Sequence, residues 1–220
     1  MCKSDEFPAL FVIDMQNAFL HENGYLARSG KNIKPYKTIV GSVQRLVRTM
    51  RENGFPIIYF RHAYRKGYID GGILINELFP NDKLTQAWLD GSWDTEIYSA
   101  LKPEKEDIVI KKNRYSGFWG TDLDQLLRNL KVNAVIITGI HTNVCCDSTA
   151  RDAAYRDYRV YFVSDATATN NDALHQATLE TMRRYFGIVL TTEEMIEHIK
   201  MLKKKGGESA RKTTKLNKKL

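Results

Sequence analysis

Six short apolar runs, separated by stretches of helical periodicity, constrain this chain more than any other feature. The runs are Phe7–Ile13, Pro56–Phe60, Asp107–Lys111, Ala134–Thr138, Val160–Val163 and Ile188–Leu190. Between them Ile39, Val43, Leu46, Val47 and Met50 recur at helical spacing over 35–53, and Leu123, Leu126, Leu127 and Leu130 do so after a capping Thr121. Further helices are predicted from Thr142 or Asn143 to about Arg156 and over 172–186. Another runs from a Thr191/Glu194 capping box to about Leu202. Strands alternating with helices predict an α/β fold with a parallel sheet covered on both faces.

A chain of 220 residues is long enough for one domain with a full core. That domain is expected over 1–202. Within it, 61–106 has no clean period, carries glycines at 67, 71, 72 and 91, and holds aromatics at 64, 68, 79, 88, 93 and 98. We expect an irregular excursion with short helices, one of them near 82–90. So long an excursion inside a compact domain is usually functional or disordered, and its aromatic content argues against disorder. It is a candidate lid or substrate wall.

The net charge of +7 is local: residues 200–220 hold nine Lys/Arg against one Glu, which leaves −1 for the rest. The stretch 203–220 therefore reads as a basic tail, solvated or in contact with a partner and capable of a weak nucleic-acid contact, while the nearly neutral domain gives no expectation of nucleic-acid binding. No apolar run approaches the roughly 20 residues of a membrane span, so no membrane partner is expected. Residues 1–6 lack the apolar segment of a secretory signal. Three cysteines, two of them adjacent, make no disulfide framework, and a reduced, cytoplasmic protein is expected. G-x-G-x-x-G and G-x-x-x-x-G-K-[ST] are both absent, so nucleotide cofactors lack their usual signatures. No cofactor is expected.

Three run ends carry the chemistry. Parallel α/β sheets gather ligands outside the carboxyl ends of their strands. One run ends at Asp14, another in Lys111-Lys112, and a third at Gly139, shortly before Cys145. A cysteine at a strand-to-helix turn meets unpaired N–H groups and the positive helix dipole, and both favour thiolate. A thiolate attacks acyl carbon. The same N–H groups can receive an oxyanion. Asp14 can move the thiol proton, and Lys112 can hold Asp14 ionised. Blander readings stand beside these: free cysteine is often a core residue, Asp after a strand is often a helix cap, and a strand-end Lys is often solvated. Cys145-Cys146 as a redox pair and His141 as a Cys–His base are further alternatives.

Three segments then resemble the isochorismatase-like cysteine hydrolases. They are Val12-Ile13-Asp14-Met15-Gln16-Asn17-Ala18-Phe19, Lys112-Asn113-Arg114-Tyr115-Ser116-Gly117-Phe118, and Thr138-Gly139-Ile140-His141-Thr142-Asn143-Val144-Cys145. Their order and spacing cover residues 8–190. The resemblance implies a three-layer α/β/α sandwich on the six-stranded, mainly parallel sheet. It implies Asp14, Lys112 and Cys145 as a catalytic triad, a cis peptide at Ile140–His141, and an oxyanion site made of the His141 and Cys145 N–H groups. It also implies a homo-oligomer, dimer or tetramer. The nicotinamidase branch has Asp-x-His where this chain has Phe60-Arg61-His62, so no metal is predicted. The Gly91–Ile97 and Arg114–Phe118 segments look like the ureidoacrylate and N-carbamoylsarcosine amidohydrolase branch. The expected activity is hydrolysis of a C–N bond in a small ureido, carbamoyl or amide substrate, with Phe19, Arg61, Trp93, Arg114, Tyr115 and Phe118 as candidate substrate contacts. A nicotinamidase-like amidase, an ether-cleaving isochorismatase and a non-catalytic binding protein are the alternatives.

Overall fold

In the computed structural model, which describes residues 6–217, the six apolar runs form one sheet in the order β3-β2-β1-β4-β5-β6. The strands are β1 (Pro8–Ile13), β2 (Ile57–His62), β3 (Ile108–Lys112), β4 (Ala134–Ile140), β5 (Arg159–Ala168) and β6 (Ile188–Leu190). Every pairing between them is parallel. Because successive strand side chains face opposite ways, each strand feeds two apolar layers. Leu10 and Val12 pack in one cluster with Val43, Leu46 and Met50 of α1 (Val40–Asn53) and with Met195 and Ile199 of α5 (Thr192–Asn217). Ala9, Phe11 and Ile13 pack in the other, with Leu123 and Leu127 of α2 (Leu123–Asn129), Ala150 and Ala153 of α3 (Asp147–Ala154), and Leu179 and Met182 of α4 (Asp172–Tyr185). Each such fully buried large side chain stabilises the fold by about 1.5–3 kcal/mol. The result is the three-layer sandwich.

Helix ends follow local chemistry. Gly54, at φ 70°, closes α1, with the Phe55 N–H donating to Met50 O and the Gly54 N–H to Arg51 O. Before α5 the Thr191 N–H donates to the Glu194 carboxylate and the Glu194 N–H to the Thr191 hydroxyl, a reciprocal cap.

The chain runs β1 to β2 to β3 outward on one side, then returns to lay β4 on the other side of β1. The β1/β4 junction is thus the topological switch point, where α/β sheets open a crevice. Gly139 is fitted to that junction. Its φ is +114°, and a Cβ there would lie 2.0 Å from Ile13 O, so only glycine lets β4 press against β1 at the rim.

Three features differ from the sequence reading. The expected 82–90 helix ends early, as Pro80–Leu84, because Gln86 and Trp88 adopt positive φ and the Asp82 carboxylate is bonded by the side chains of Tyr25 and Trp88. The segment after Gly139 first makes a wider π-type turn, Thr142–Cys146, before α3 begins at Asp147. The last helix continues past Leu202 to Asn217, so most of the basic stretch is helical. Residues 1–5, part of the segment read for a secretory signal, and 218–220 of the basic tail lie outside the described residues. Among the described residues no helix is long and apolar enough to cross a membrane.

Candidate active site

Asp14 follows β1 directly, and its backbone turns out of the strand at φ 53°. Lys112 is the last residue of β3, in register with His62 of β2. Its side chain crosses the end of β2 and brings Nζ to 2.7 Å from Asp14 Oδ2 and 3.2 Å from the Arg114 carbonyl. Neither side chain is exposed at all. The adjacent Lys111 points to the other sheet face, where its Nζ donates to Asp90 at 2.8 Å. Strand alternation thus separates the two lysines. Cys145 lies in the Thr142–Cys146 turn after β4, where its thiol interacts with both the Asp14 carboxylate and the Lys112 ammonium. Its carbonyl accepts from the Thr149 hydroxyl at 2.6 Å, and the Thr142 hydroxyl pairs with the His175 ring at 2.9 Å. The structure therefore brings Asp14, Lys112 and Cys145 to one rim.

The electrostatics follow from burial and one ammonium. Burial pushes the Asp14 carboxyl above its ordinary range, and Lys112 opposes the rise. Burial would depress the Lys112 ammonium, but Asp14 and the thiol outweigh it and hold it above its usual value. Asp14 Oδ1 is buried and has no hydrogen-bond partner among the described residues. One carboxylate oxygen is thus held by Lys112 and the other is available.

The Cys145 thiol is subject to the same burial. Burial pushes the thiol well up, Lys112 only opposes this, and the Asp14 charge adds to it. Cys145 lies in the first turn of a helical stretch that runs without a break from Thr142 through α3. Burial thus favours the protonated form of the Cys145 sulfur, and Lys112 works against it.

The Ile140–His141 peptide is cis. Among the described residues the His141 backbone N–H makes no backbone hydrogen bond, while the His141 carbonyl accepts from the N–H groups of Val144 and Cys146. Burial lowers the His141 imidazole to about 4 and takes His62 well below its usual value, with Lys112 adding to both. Both rings are neutral at pH 7.

A cavity of about 420 Å³ opens from Asp14 and Cys145, within the size range of small-molecule sites. Phe19 and Tyr115 line it, together with Tyr25, Tyr64, Phe79 and Trp88. The other four candidate substrate contacts stand elsewhere. Arg61 reaches Asp90 and the Thr95 carbonyl and, with Trp93, lines a separate groove beside β3. Phe118 is buried in the core against Phe11 and Tyr158. Arg114 donates to the carbonyls of Asp70 and Asn113 and stacks on Trp119. In each case a nearby partner captures the group: carboxylate and carbonyl oxygens for the two arginines, neighbouring rings for Phe118 and Trp93.

Tyr64, Phe79 and Trp88 come from the aromatic-rich stretch expected as a substrate wall, whereas Tyr25 and the positioning residue Gln16 are not apparent from the sequence. The Gln16 amide donates to the carbonyls of His62 and Thr95 and accepts from the His62 N–H, so it staples the end of β2 to the excursion. The aromatic density of 61–106 is the one signal that points toward this wall. Among the described residues no group of three or more His, Cys, Asp or Glu can hold a metal ion.

Known proteins resemble the chain in sequence and in fold. The family model for the isochorismatase domain matches residues 8–194. Ureidoacrylate amidohydrolase RutB of Methylobacterium radiotolerans is 35% identical over 192 residues, covering 82% of this chain and 74% of that protein. A cysteine hydrolase from Pseudomonas syringae pv. phaseolicola superposes with a TM-score of 0.82 at 34% identity, covering 89% and 93% of the two chains. The N-carbamoylsarcosine amidase of Thermoplasma acidophilum superposes at 0.68 and 28% identity, covering 84% and 96%.

Proposed function

The chain belongs to the isochorismatase family, and from that premise we propose that it is a cysteine-dependent amidohydrolase acting on a small ureido, carbamoyl or amide substrate. It is a hydrolase of carbon–nitrogen bonds other than peptide bonds, the activity for which its RutB relatives are named. The observation that carries the cysteine mechanism is the setting of Asp14: Oδ2 rests on Lys112, Oδ1 has no hydrogen-bond partner among the described residues, and the Cys145 thiol interacts with the same carboxylate.

The reaction runs in two halves. The Cys145 thiol gives its proton to Asp14 Oδ1 as sulfur bonds to the carbonyl carbon. A carboxyl with a raised pKa is a better base for this step, and Lys112 keeps it ionised until the proton arrives. The new oxyanion rests on the N–H groups of His141 and Cys145, and each such donor is worth about 3–4 kcal/mol in known cases. The carbon–nitrogen bond breaks, Asp14 returns the proton to the departing nitrogen, and a thioester remains. Water then gives a proton to Asp14 and attacks the thioester. The carbon–sulfur bond breaks, and the sulfur recovers the proton from Asp14. A ureido substrate leaves as carbamate, which decays to carbon dioxide and ammonia.

The test is ammonia release across ureido acids, carbamoyl amino acids and simple amides, with mass spectrometry of the quenched protein. Turnover with an acyl adduct on Cys145 is expected. Undiminished turnover by Cys145→Ala would overturn the mechanism.

A further inference from the structure

We propose that Lys31 binds a carboxylate at the far end of the substrate and so makes this enzyme selective for acids whose ureido or amide group lies at the opposite terminus. The proposal rests on the amidohydrolase reading and names the residue that selects within it.

Charge around the cavity leads to Lys31. Among the described residues lining it, Lys31 is the only Lys or Arg. Arg61 and Arg114 are committed elsewhere, and Lys112 is committed to Asp14. The cavity imidazoles, His62 and His141, are neutral at pH 7. The second carboxylate of the cavity, Asp82, has both oxygens occupied, one by the Tyr25 hydroxyl at 2.6 Å and one by Trp88 Nε1 at 2.9 Å, so it serves the wall.

The setting of Lys31 favours capture of an anion. Gly30, at φ 73°, turns the chain after the short helix Tyr25–Arg28, and the Lys31 N–H donates to Leu26 O at 2.9 Å. Ile33 is buried just beyond. The backbone is therefore fixed at the cavity rim while the side chain is exposed and has no ion pair among the described residues. Nearby cations are neutralised: Arg28 by Asp94 at 2.6 Å and Lys37 by Glu22 at 2.9 Å. Lys31 lines the cavity and makes no ion pair among the described residues. Asp14 and Cys145 at the floor and an ammonium at the rim define a substrate with a C–N bond at one end and a carboxylate at the other, its middle against the aromatic walls.

The experiment measures binding and turnover for 3-ureidopropionate and its methyl ester. Binding is followed by tryptophan fluorescence in the Cys145→Ala background, so that it does not depend on catalysis. With Lys31 present the acid should bind about tenfold more tightly than the ester, the size of a partly exposed charge-assisted contact. Lys31→Met should erase the difference, Lys31→Glu should invert it, and Lys31→Arg should retain most of it. In active enzyme Lys31→Met should raise KM for the acid about tenfold while kcat stays as in wild type, and Lys31→Arg should bring KM most of the way back. An acid-to-ester ratio unaltered by Lys31→Met, or no binding of either ligand, overturns the proposal. Absence of ammonia from wild type despite a Lys31-dependent binding ratio would instead count against the hydrolase reading alone.

Discussion

The rim cluster and the 61–106 wall stand against the same cavity and are built by opposite means. At the rim, three side chains issue from the ends of β1, β3 and β4, and the ion pair at its heart has no exposed surface. In the wall, short turns are held by side-chain to backbone bonds, such as Tyr68 to the Ala87 carbonyl and Thr95 to Ser92 and Leu89. Its own ion pairs, Arg61 and Lys111 to Asp90, are a quarter to a third exposed. The difference teaches where each task belongs. Reacting groups need fixed separations, which strands supply; selection among substrates needs surface that can vary without disturbing the sheet, which an excursion supplies.

The comparison is broken most directly at the sulfur. Cys145→Ala should lower kcat by about 10⁴-fold or more, as loss of a covalent nucleophile does, with the thermal midpoint nearly unchanged. No substitution in the wall should approach that. Ammonia release above one hundredth of wild type in the alanine variant would place the chemistry elsewhere.

The ion pairs sharpen the contrast in stability. Lys112→Met leaves Asp14 buried without its counter-charge, and such breakage costs about 3–5 kcal/mol. Adding Asp14→Asn should recover part of that loss, since the uncompensated charge goes with it. Arg61→Ala should cost less than about 1 kcal/mol, because its pair is partly solvated and weak. Urea denaturation of the four proteins reads all three. A Lys112 variant as stable as the Arg61 variant would mean the rim pair is no more consequential than a surface one.

The same division explains what the sequence makes legible. Ala9–Ile13 and Ala134–Ile137 are apolar without interruption, as suits a short strand covered on both faces, so their carboxyl ends, and with them Asp14 and the turn to Cys145, follow from pattern. The choice of Lys112 over Lys111 follows from the resemblance and from strand alternation. The wall does not follow. Arg61 and Trp93 are residue types suited to a substrate pocket, yet Asp90 and the Thr95 carbonyl draw Arg61 aside and Trp93 meets the His21 ring edge to face. Those partners lie up to 72 residues away in the chain, and no period marks them. The Cys145 thiol shows the same limit: a turn after a strand suggests a helix dipole, while the extent of burial that raises the thiol depends on how the whole rim closes.

Between rim and wall stand the two imidazoles, and they give the fold a pH dependence. The His141 ring falls from its ordinary 6.5 to about 4 in the folded protein. As pH drops below 6.5 the unfolded chain takes up a proton that the folded one refuses, so stability is complete above 6.5 and declines toward 4. The full loss is on the order of 3 kcal/mol. His141→Gln removes this contribution, so the urea midpoint should fall less steeply between pH 6.5 and 4 than in wild type. Parallel slopes in the two proteins would show that the ring does not carry the effect.

The smallest effect belongs to the wall and is the most specific to it. Asp82 binds the Tyr25 hydroxyl with one oxygen and Trp88 Nε1 with the other, so one carboxylate sets the angle of two cavity aromatics. Asp82→Asn can accept from only one of these donors, because its amide nitrogen does not accept. Tyr25→Phe removes the first bond and leaves the second intact. A hydrogen bond to a charged group contributes about 1.5–3 kcal/mol, and partial exposure keeps this pair near the lower figure. Looser aromatics should raise KM about tenfold in Asp82→Asn and less in Tyr25→Phe. The reacting atoms sit on strand ends that neither change touches, so kcat should stay within about twofold. If Asp82→Asn lowered kcat with KM unchanged, the wall would be part of the reacting machinery, and the separation between the two regions would not hold.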